Sequence, residues 1–304
     1  MMMLNQAPEL APYQDEPKQM PSGAVGKNGF LRLGFERRGE RTALVDLYRR
    51  VPLLVQKALY WDEELPDLPC VFIITTSGCV LQGDRQTIEI DLADNTMAHV
   101  TTQSATKIHS MNANYAAQTQ DIVLGENSYL EFLPDAMIPH AHARFSLQTR
   151  ITIAPSATLI YGEILMAGRK YHKDGELFQF DLFSSTVRAQ NPGGDELFTE
   201  KYIIEPHQHD VRANSVMGQF DVFGNVIVLT PKANADRIFE QVRPELNLNE
   251  QFASGVSRLP NDAGLVFKVL GMESQPVRSR IREFWSIVRQ EVAGAPVPRE
   301  FLWR

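Results

Sequence analysis

Alternation with a period of two recurs along most of this chain, and it constrains the fold more tightly than any other feature. In "TIEIDL", Ile88, Ile90 and Leu92 fall on one face. In "FSLQTRITI", Phe145, Leu147, Ile151 and Ile153 do the same, with Thr149 between them. "FLRLGFERRGERTALVDLY" alternates on both sides of the turn-like "RRGER" and is predicted to form two strands. "LFQFDLF" at Leu177–Phe183 repeats the alternation, and "QFDVFGNVIVL" is predicted to be two strands about Gly224-Asn225. Successive side chains of a strand point to opposite faces, so these patterns describe sheets packed on a core by one side.

A loose internal repeat accompanies the strands. "LADNTMAHVT" starts at Leu92, "LGENSYLEFL" at Leu124 and "IAPSATLIYG" at Ile153, so the starts are 32 and 29 residues apart. Each unit has an apolar residue, a turn with Asn or Ser at its fourth position, then a strand. A spacing near 30 suits stacked β units that share one core, and an irregular two-sheet sandwich accommodates it as well. The last quarter changes period. "NADRIFEQVRPEL" is predicted to be a helix with Ile238, Phe239 and Val242 inward. In "SQPVRSRIREFWSIVRQEV", Val277, Ile281, Phe284, Trp285, Val288 and Val292 make one stripe at helical spacing, with Ser274 as candidate N-cap and Pro276 in the first turn. Arg278, Arg282 and Arg289 fall off that stripe, on a face expected to be solvated or to meet a partner.

Composition removes several functional classes. The 304 residues are 43% hydrophobic and 22% charged, as in ordinary soluble proteins. A net charge of −7 disfavours binding to a phosphate backbone, so nucleic acid is not an expected partner. Apolar runs such as "VFII" are too short to cross a bilayer, so no membrane role is expected. The first residues lack the cationic start and apolar core of a secretory signal. Cys70 and Cys79 fit neither CxxC nor a disulfide framework and are expected to be free thiols in a reducing cytoplasm. Residues 1–27, rich in Pro, Gln and Gly, are expected to be a flexible leader, with a single domain over 28–304.

No P-loop, HExxH, GxSxG or GxGxxG is present. Four of the seven histidines lie in two Pro-His-x-His stretches, at His140/His142 and His207/His209. They raise the alternative of a cupin-like β-fold metalloenzyme. No HxHxxxxE spacing follows His140, however, and 65 residues separate His142 from His207.

Three other stretches carry chemical tension. "TTSGCVLQGDRQTIEI" delivers Asp84 from a tight loop just before a strand, where a turn carboxylate commonly accepts backbone N–H groups. "TTQSATKIHSMN" brings hydroxyls, including Thr106, up to Lys107; they either satisfy local backbone or line a wet cavity. "ATLIYGEILMAGR" puts Glu163 on one face with Leu159, Tyr161 and Leu165, while Ile160, Ile164 and Met166 occupy the other. A carboxylate in a strand apolar on both faces needs a partner such as Arg169 or Lys107, a water-filled passage, or a cation.

"SGCVLQGD", "TTQSATKI", "LEFLPDAMIP" and "GEILMAGR…GE", in that order, resemble the motif series of the urease accessory protein UreD (UreH) family. The resemblance spans about residues 28–300. It implies a mainly β fold, with two stacked β layers of solenoid-like character and two α-helices in the C-terminal quarter. It also implies a cytoplasmic urease maturation factor rather than an enzyme. Such a factor binds the urease apoprotein subunits and UreF directly, meets the GTPase UreG through UreF, and handles Ni2+ in transit with no tightly bound cofactor. Residue by residue, the resemblance points to Asp84, Thr106, Lys107, Glu163, Arg169 and Glu176 as nickel-passage or partner-interface positions. Oxygen ligands hold Ni2+ less firmly than imidazole or thiolate, which suits transit. His140, His142 and His172 match no family motif and are expected to be at most auxiliary metal contacts. Cys79 stands where a second glycine is usual.

Overall fold

The computed structural model describes residues 7–15 and 28–298. The first strands are β1 (Asn28–Arg38), β2 (Arg41–Arg50), β3 (Leu53–Leu54), β4 (Cys70–Thr75), β5 (Arg85–Leu92) and β6 (Met97–Thr102). They are followed by β7 (Thr106–Ile108), β8 (Ala116–Leu124), β9 (Tyr129–Phe132), β10 (Met137–Pro139), β11 (Arg144–Ile153) and β12 (Thr158–Met166). Next come β13 (Leu182–Gln190), β14 (Glu196–Ile204), β15 (Val222–Leu229) and helix α1 (Lys232–Gln241). The chain closes with β16 (Glu245–Asn247), β17 (Phe252–Arg258), β18 (Gly264–Gly271) and helix α2 (Ser274–Ala293).

Two sheets result. One runs β14-β13-β11-β8-β5-β1-β2, and the other runs β16-β17-β18-β15-β12-β9-β6-β4-β3. From β4 to β13 the chain crosses repeatedly between them, and each crossing adds a parallel strand to one sheet. This is a short solenoid, and the repeat in the sequence is its coil. Leu92 pairs in register with Leu124, and Leu124 with Ile153, which reproduces the 32- and 29-residue spacing. The turns stack too. Asn95 and Asn127 adopt left-handed backbone at φ 58° and 54°, a region that asparagine tolerates. The Asn127 amide donates to Asn95 Oδ1 at 3.2 Å, and Ser156 Oγ accepts from Asn127 N at 2.8 Å.

Antiparallel strands finish both sheets. β2 and β14 close the first, while β15, β18, β17 and β16 extend the second. The alternating residues Leu31, Leu33, Ile88, Ile90, Ile122, Ile151, Leu159 and Tyr161 meet between the layers. On its far face the second sheet is covered by the helices, with Ile160, Ile164, Val226 and Phe267 against Ile238, Phe284, Trp285 and Val288. A strand caught between a sheet and a helix layer is buried on both faces, as β12 is along nearly its whole length.

Several local expectations are corrected. "QFDVFGNVIVL" is one strand, β15, with Gly224 and Asn225 in its interior. Gly224 is required there by packing. A Cβ would stand 2.8 Å from Ile281 Cδ1 and 3.0 Å from Val277 Cγ1, both on α2. Leu177–Asp181 is irregular rather than strand, with Phe178 at φ 55°, and the alternation becomes a strand only at Leu182. Ser274 is the first helical residue of α2, and the N-cap is Glu273. Within the leader, Pro8–Tyr13 forms a 3-10 helix whose Leu10 is buried against Tyr115, Ala117 and Leu182. Residues 1–6 and 16–27 lie outside the described residues.

Candidate functional site

Glu163 projects from β12 into the gap between the sheets. It is 2% exposed. Neither Arg169 nor Lys107 reaches it, contrary to the pairing that the sequence suggests. Its partners are hydroxyls. Tyr161 donates to Oε1 at 2.6 Å and Tyr202 to Oε2 at 2.9 Å, while Ser185 from the facing sheet straddles both oxygens at 2.9 and 3.2 Å. Burial pushes the Glu163 carboxyl above the usual carboxylate range. The hydroxyls oppose this, and nearby Glu200 adds to the rise. Tyr161 continues the polar chain to Thr149 at 2.9 Å and to Gln120 at 3.2 Å. Asn225, the register partner of Glu163 on β15, gives its amide to Glu200. Its buried Oδ1 meets no donor among the described residues.

Space lies beside this carboxyl. A small cavity of about 40 Å³ is lined by Glu163, Tyr161, Gln120, Thr102 and Thr106. A second, of about 190 Å³, is lined by Gly78, Cys79, Gln103, Ser104 and Lys107, and shares Ile73, Thr102 and Thr106 with the first. The hydroxyl-rich "TTQSATK" segment therefore forms the wall between an outer and an inner space. Its hydroxyls also serve the backbone, since Thr101 donates to Leu133 O and Thr102 accepts from Asp135 N. Lys107 is exposed at the outer cavity, and Cys79 forms part of its wall.

The other motif residues have structural work visible in their contacts. Asp84 is fully buried and accepts from Leu81 N at 2.9 Å, closing the loop before β5; it does not line the cavity beside Glu163. Arg169 and Glu176 form a two-pronged ion pair, with Nε to Oε2 at 2.8 Å. The Arg169 guanidinium holds the Glu176 carboxyl below its usual range, against a smaller opposing effect of burial. Gly168 must be glycine, because a Cβ there would fall 2.0 Å from Glu176 O, at φ 139°. The "GR…GE" motif is thus a stapled loop. His172 is inside that loop, donating its N–H to Arg169 O.

The histidine pairs split. His140 is buried, and burial, then Arg169 and His109, push its pKa down to about 4. Two residues on, His142 is exposed and turned away at φ 61°. The two histidines therefore do not converge on one internal centre. The sheets are separate open layers rather than a closed barrel, so the cupin-like alternative loses both its fold and its ligand geometry.

One buried cluster is not singled out by the sequence, although its glutamate belongs to the "LEFLPDAMIP" motif. Glu131 of "LEFLP" is fully buried and accepts from Tyr129 at 2.7 Å and Trp285 at 2.8 Å, and pairs with His99 at 2.8 Å. Arg289, expected on a solvated face, is 1% exposed; it approaches Glu131 to 3.7 Å and bonds Asp62. Burial pushes the Glu131 carboxyl up, but His99, Arg289 and Trp285 together outweigh it and hold it below its usual range. Burial, then Glu131 and Asp62, push the adjacent Cys70 thiol up to about 12, so the group is a neutral thiol in this cluster. No helix among the described residues is long and apolar enough to cross a membrane.

Comparison with known proteins agrees with the motif series. A family model described as "UreD urease accessory protein" matches residues 27–304. Urease accessory protein UreD 2 of Brucella suis is 62% identical over 301 residues, covering 99% of this chain and all of that protein. Urease accessory protein UreD of Yersinia pseudotuberculosis is 57% identical over 298 residues, covering 98% of this chain and 93% of that protein. The match along nearly the whole chain and the identity to these relatives show that this chain belongs to the UreD family of urease accessory proteins.

Proposed function

We propose that this chain is a non-catalytic maturation factor for urease, which binds the urease apoprotein and gives Ni2+ a route toward it. In this reading it contacts UreF directly and the GTPase UreG through UreF, and it works in the cytoplasm. Family membership supports the urease link. Glu163 carries the nickel link. It is a carboxyl kept above its usual range by burial, ringed by hydroxyls, and set against a cavity that has a wider space beyond. A cavity of this size has room for a water molecule.

The chemistry of that arrangement favours passage over storage. An arriving divalent cation would displace the Glu163 proton and meet carboxylate and hydroxyl oxygens and the Gln120 amide oxygen of the cavity wall. Such oxygen sets bind nickel more weakly than imidazole or thiolate. Lys107 then marks the outer space, Thr106 the junction of the two, and Asp84 closes the loop that follows the Gly78–Val80 wall, while the Arg169–Glu176 staple is a partner-interface candidate away from both cavities. Co-expression with urease subunits and UreF, followed by affinity capture of this chain, tests the scaffold. Stable co-purification is expected. A chain that never associates with either contradicts the reading.

A further inference from the structure

Three metal-ligating side chains that the passage does not use meet at one end of the first sheet. β11 and β13 run parallel, with Arg144 beside Leu182, and β14 runs antiparallel to β13, with Phe183 beside Ile204. The start of β11, the start of β13 and the end of β14 therefore lie side by side. His142 is two residues before β11, Asp181 one residue before β13, and His207 three residues after β14. The topology thus unites one histidine from each Pro-His-x-His stretch around a shared carboxylate.

The distances suit a common ion. One ligand atom from each residue lies within 4.8 Å of the other two. His142 Nδ1 is 3.1 Å and His207 Nε2 is 3.6 Å from Asp181 Oδ1. With metal–ligand bonds of ~2.1 Å, neighbouring ligand atoms stand roughly 3.0–3.4 Å apart. The 3.6 Å approach is too long for a hydrogen bond but matches the edge of such a polyhedron after a small side-chain adjustment. The imidazole rings lie 6.3 Å apart and nearly parallel, both accessible at the surface.

The carboxylate is positioned as well. Arg144 Nε binds Asp181 Oδ2 at 2.7 Å, leaving Oδ1 facing both histidines. Arg144 is itself held by Asn114 O at 3.3 Å and by the Tyr13 ring, 4.6 Å away. His142 is kept in left-handed backbone by its N–H bond to Gln179 O and by Met111 N donating to its carbonyl. A non-glycine residue at positive φ costs free energy and persists where the surroundings fix it.

We infer that His142, Asp181 and His207 form a surface site for one first-row divalent cation of the class that imidazole prefers, such as Ni2+, Zn2+ or Cu2+. Two nitrogens and one oxygen bind more firmly than the all-oxygen surroundings of Glu163, and water completes the coordination. The site is separate from the inner cavity and does not depend on the nickel passage.

The test is calorimetric titration of the full-length chain, carrying no polyhistidine tag, with NiCl2 and separately with ZnCl2. One equivalent is expected to bind to wild type and to His209→Ala, and to be lost in both His207→Ala and His142→Asn. Asparagine tolerates the backbone of residue 142, and His207 is in an exposed turn, so both variants are expected to keep wild-type circular dichroism. With Cu2+ as an electron-paramagnetic-resonance probe, wild type and His209→Ala are expected to show coupling to two imidazole nitrogens, and His142→Asn and His207→Ala to at most one. Wild type that takes up no equivalent overturns the site, as does equal binding by wild type and the His142→Asn/His207→Ala double variant. Loss of the equivalent in His209→Ala overturns this ligand set.

Discussion

Glu131 and Glu163 are two glutamates, each buried completely, on neighbouring strands of one sheet, and they are solved in opposite ways. Glu131 faces the helix layer and meets His99, Arg289 and Trp285, so its charge is balanced. Glu163 faces the other sheet and among the described residues meets only the hydroxyls of Tyr161, Ser185 and Tyr202, so no cation balances it. One carboxyl is held below its usual range and the other above it. Burial alone does not decide what a carboxyl does; the sign of its neighbours does. A balanced buried charge fastens elements together, and a buried carboxyl with no cation to balance it favours its proton, which beside a cavity it can exchange for a metal cation.

The largest expected effect falls on the fastened side. Glu131→Ala leaves a void where Tyr129, Trp285 and His99 lose a hydrogen-bond partner and Arg289 keeps only Asp62, and is expected to cost about 3–5 kcal/mol in chemical denaturation. Gly224→Val comes next. The added side chain would meet α2 and Val269, with its Cβ 2.7 Å from Val269 Cγ1, and a cost of about 1–3 kcal/mol is expected, with the helix layer loosened first in hydrogen exchange. Asn127→Ala removes one rung of the turn ladder and an asparagine from left-handed backbone; about 1 kcal/mol is expected in the same denaturation measurement.

Glu163→Gln is expected to have the smallest effect on stability, within about 1 kcal/mol at acid pH, because the hydroxyls keep a neutral acceptor. Its dependence on pH sharpens the contrast. The contribution of Glu131 is present above its ordinary value of 4.5 and is lost as the pH falls through its lowered folded value. That of Glu163 is full below 4.5 and is lost as the pH rises through its raised folded value. The stability of Glu163→Gln relative to wild type is therefore expected to increase with pH from 4.5 upward, while acid unfolding remains as in wild type. A flat difference across that range would mean that Glu163 is ionised in the fold.

The same contrast marks how much the sequence reveals. The coil was legible because each 32- or 29-residue turn repeats its own apolar and asparagine positions, and the α2 stripe because helical spacing is local. Glu163 could be singled out because its strand is apolar on both faces. The balance around Glu131 was hidden. Its partner Trp285 is 154 residues away, and Arg289 reaches Asp62 across 227 residues, so no periodicity connects them. Arg289 reads as solvated because the helical stripe shows only which side is apolar. Asp62 lies in the loop between β3 and β4, and nothing in the helix announces that this loop supplies a carboxylate for the polar side. Gly224-Asn225 imitates a turn because its glycine answers to a helix some fifty residues later, which local chemistry does not record. The histidine pairs were visible as pairs, but which member of each pair meets Asp181 depends on strand order.

The most direct measurement is the nickel content of urease co-expressed with the Glu163→Gln chain, alongside a check that the variant is as stable as wild type and still co-purifies with urease. The account predicts a folded, partner-bound chain whose urease lacks most of its nickel. Urease fully loaded with nickel in the presence of that variant would contradict it.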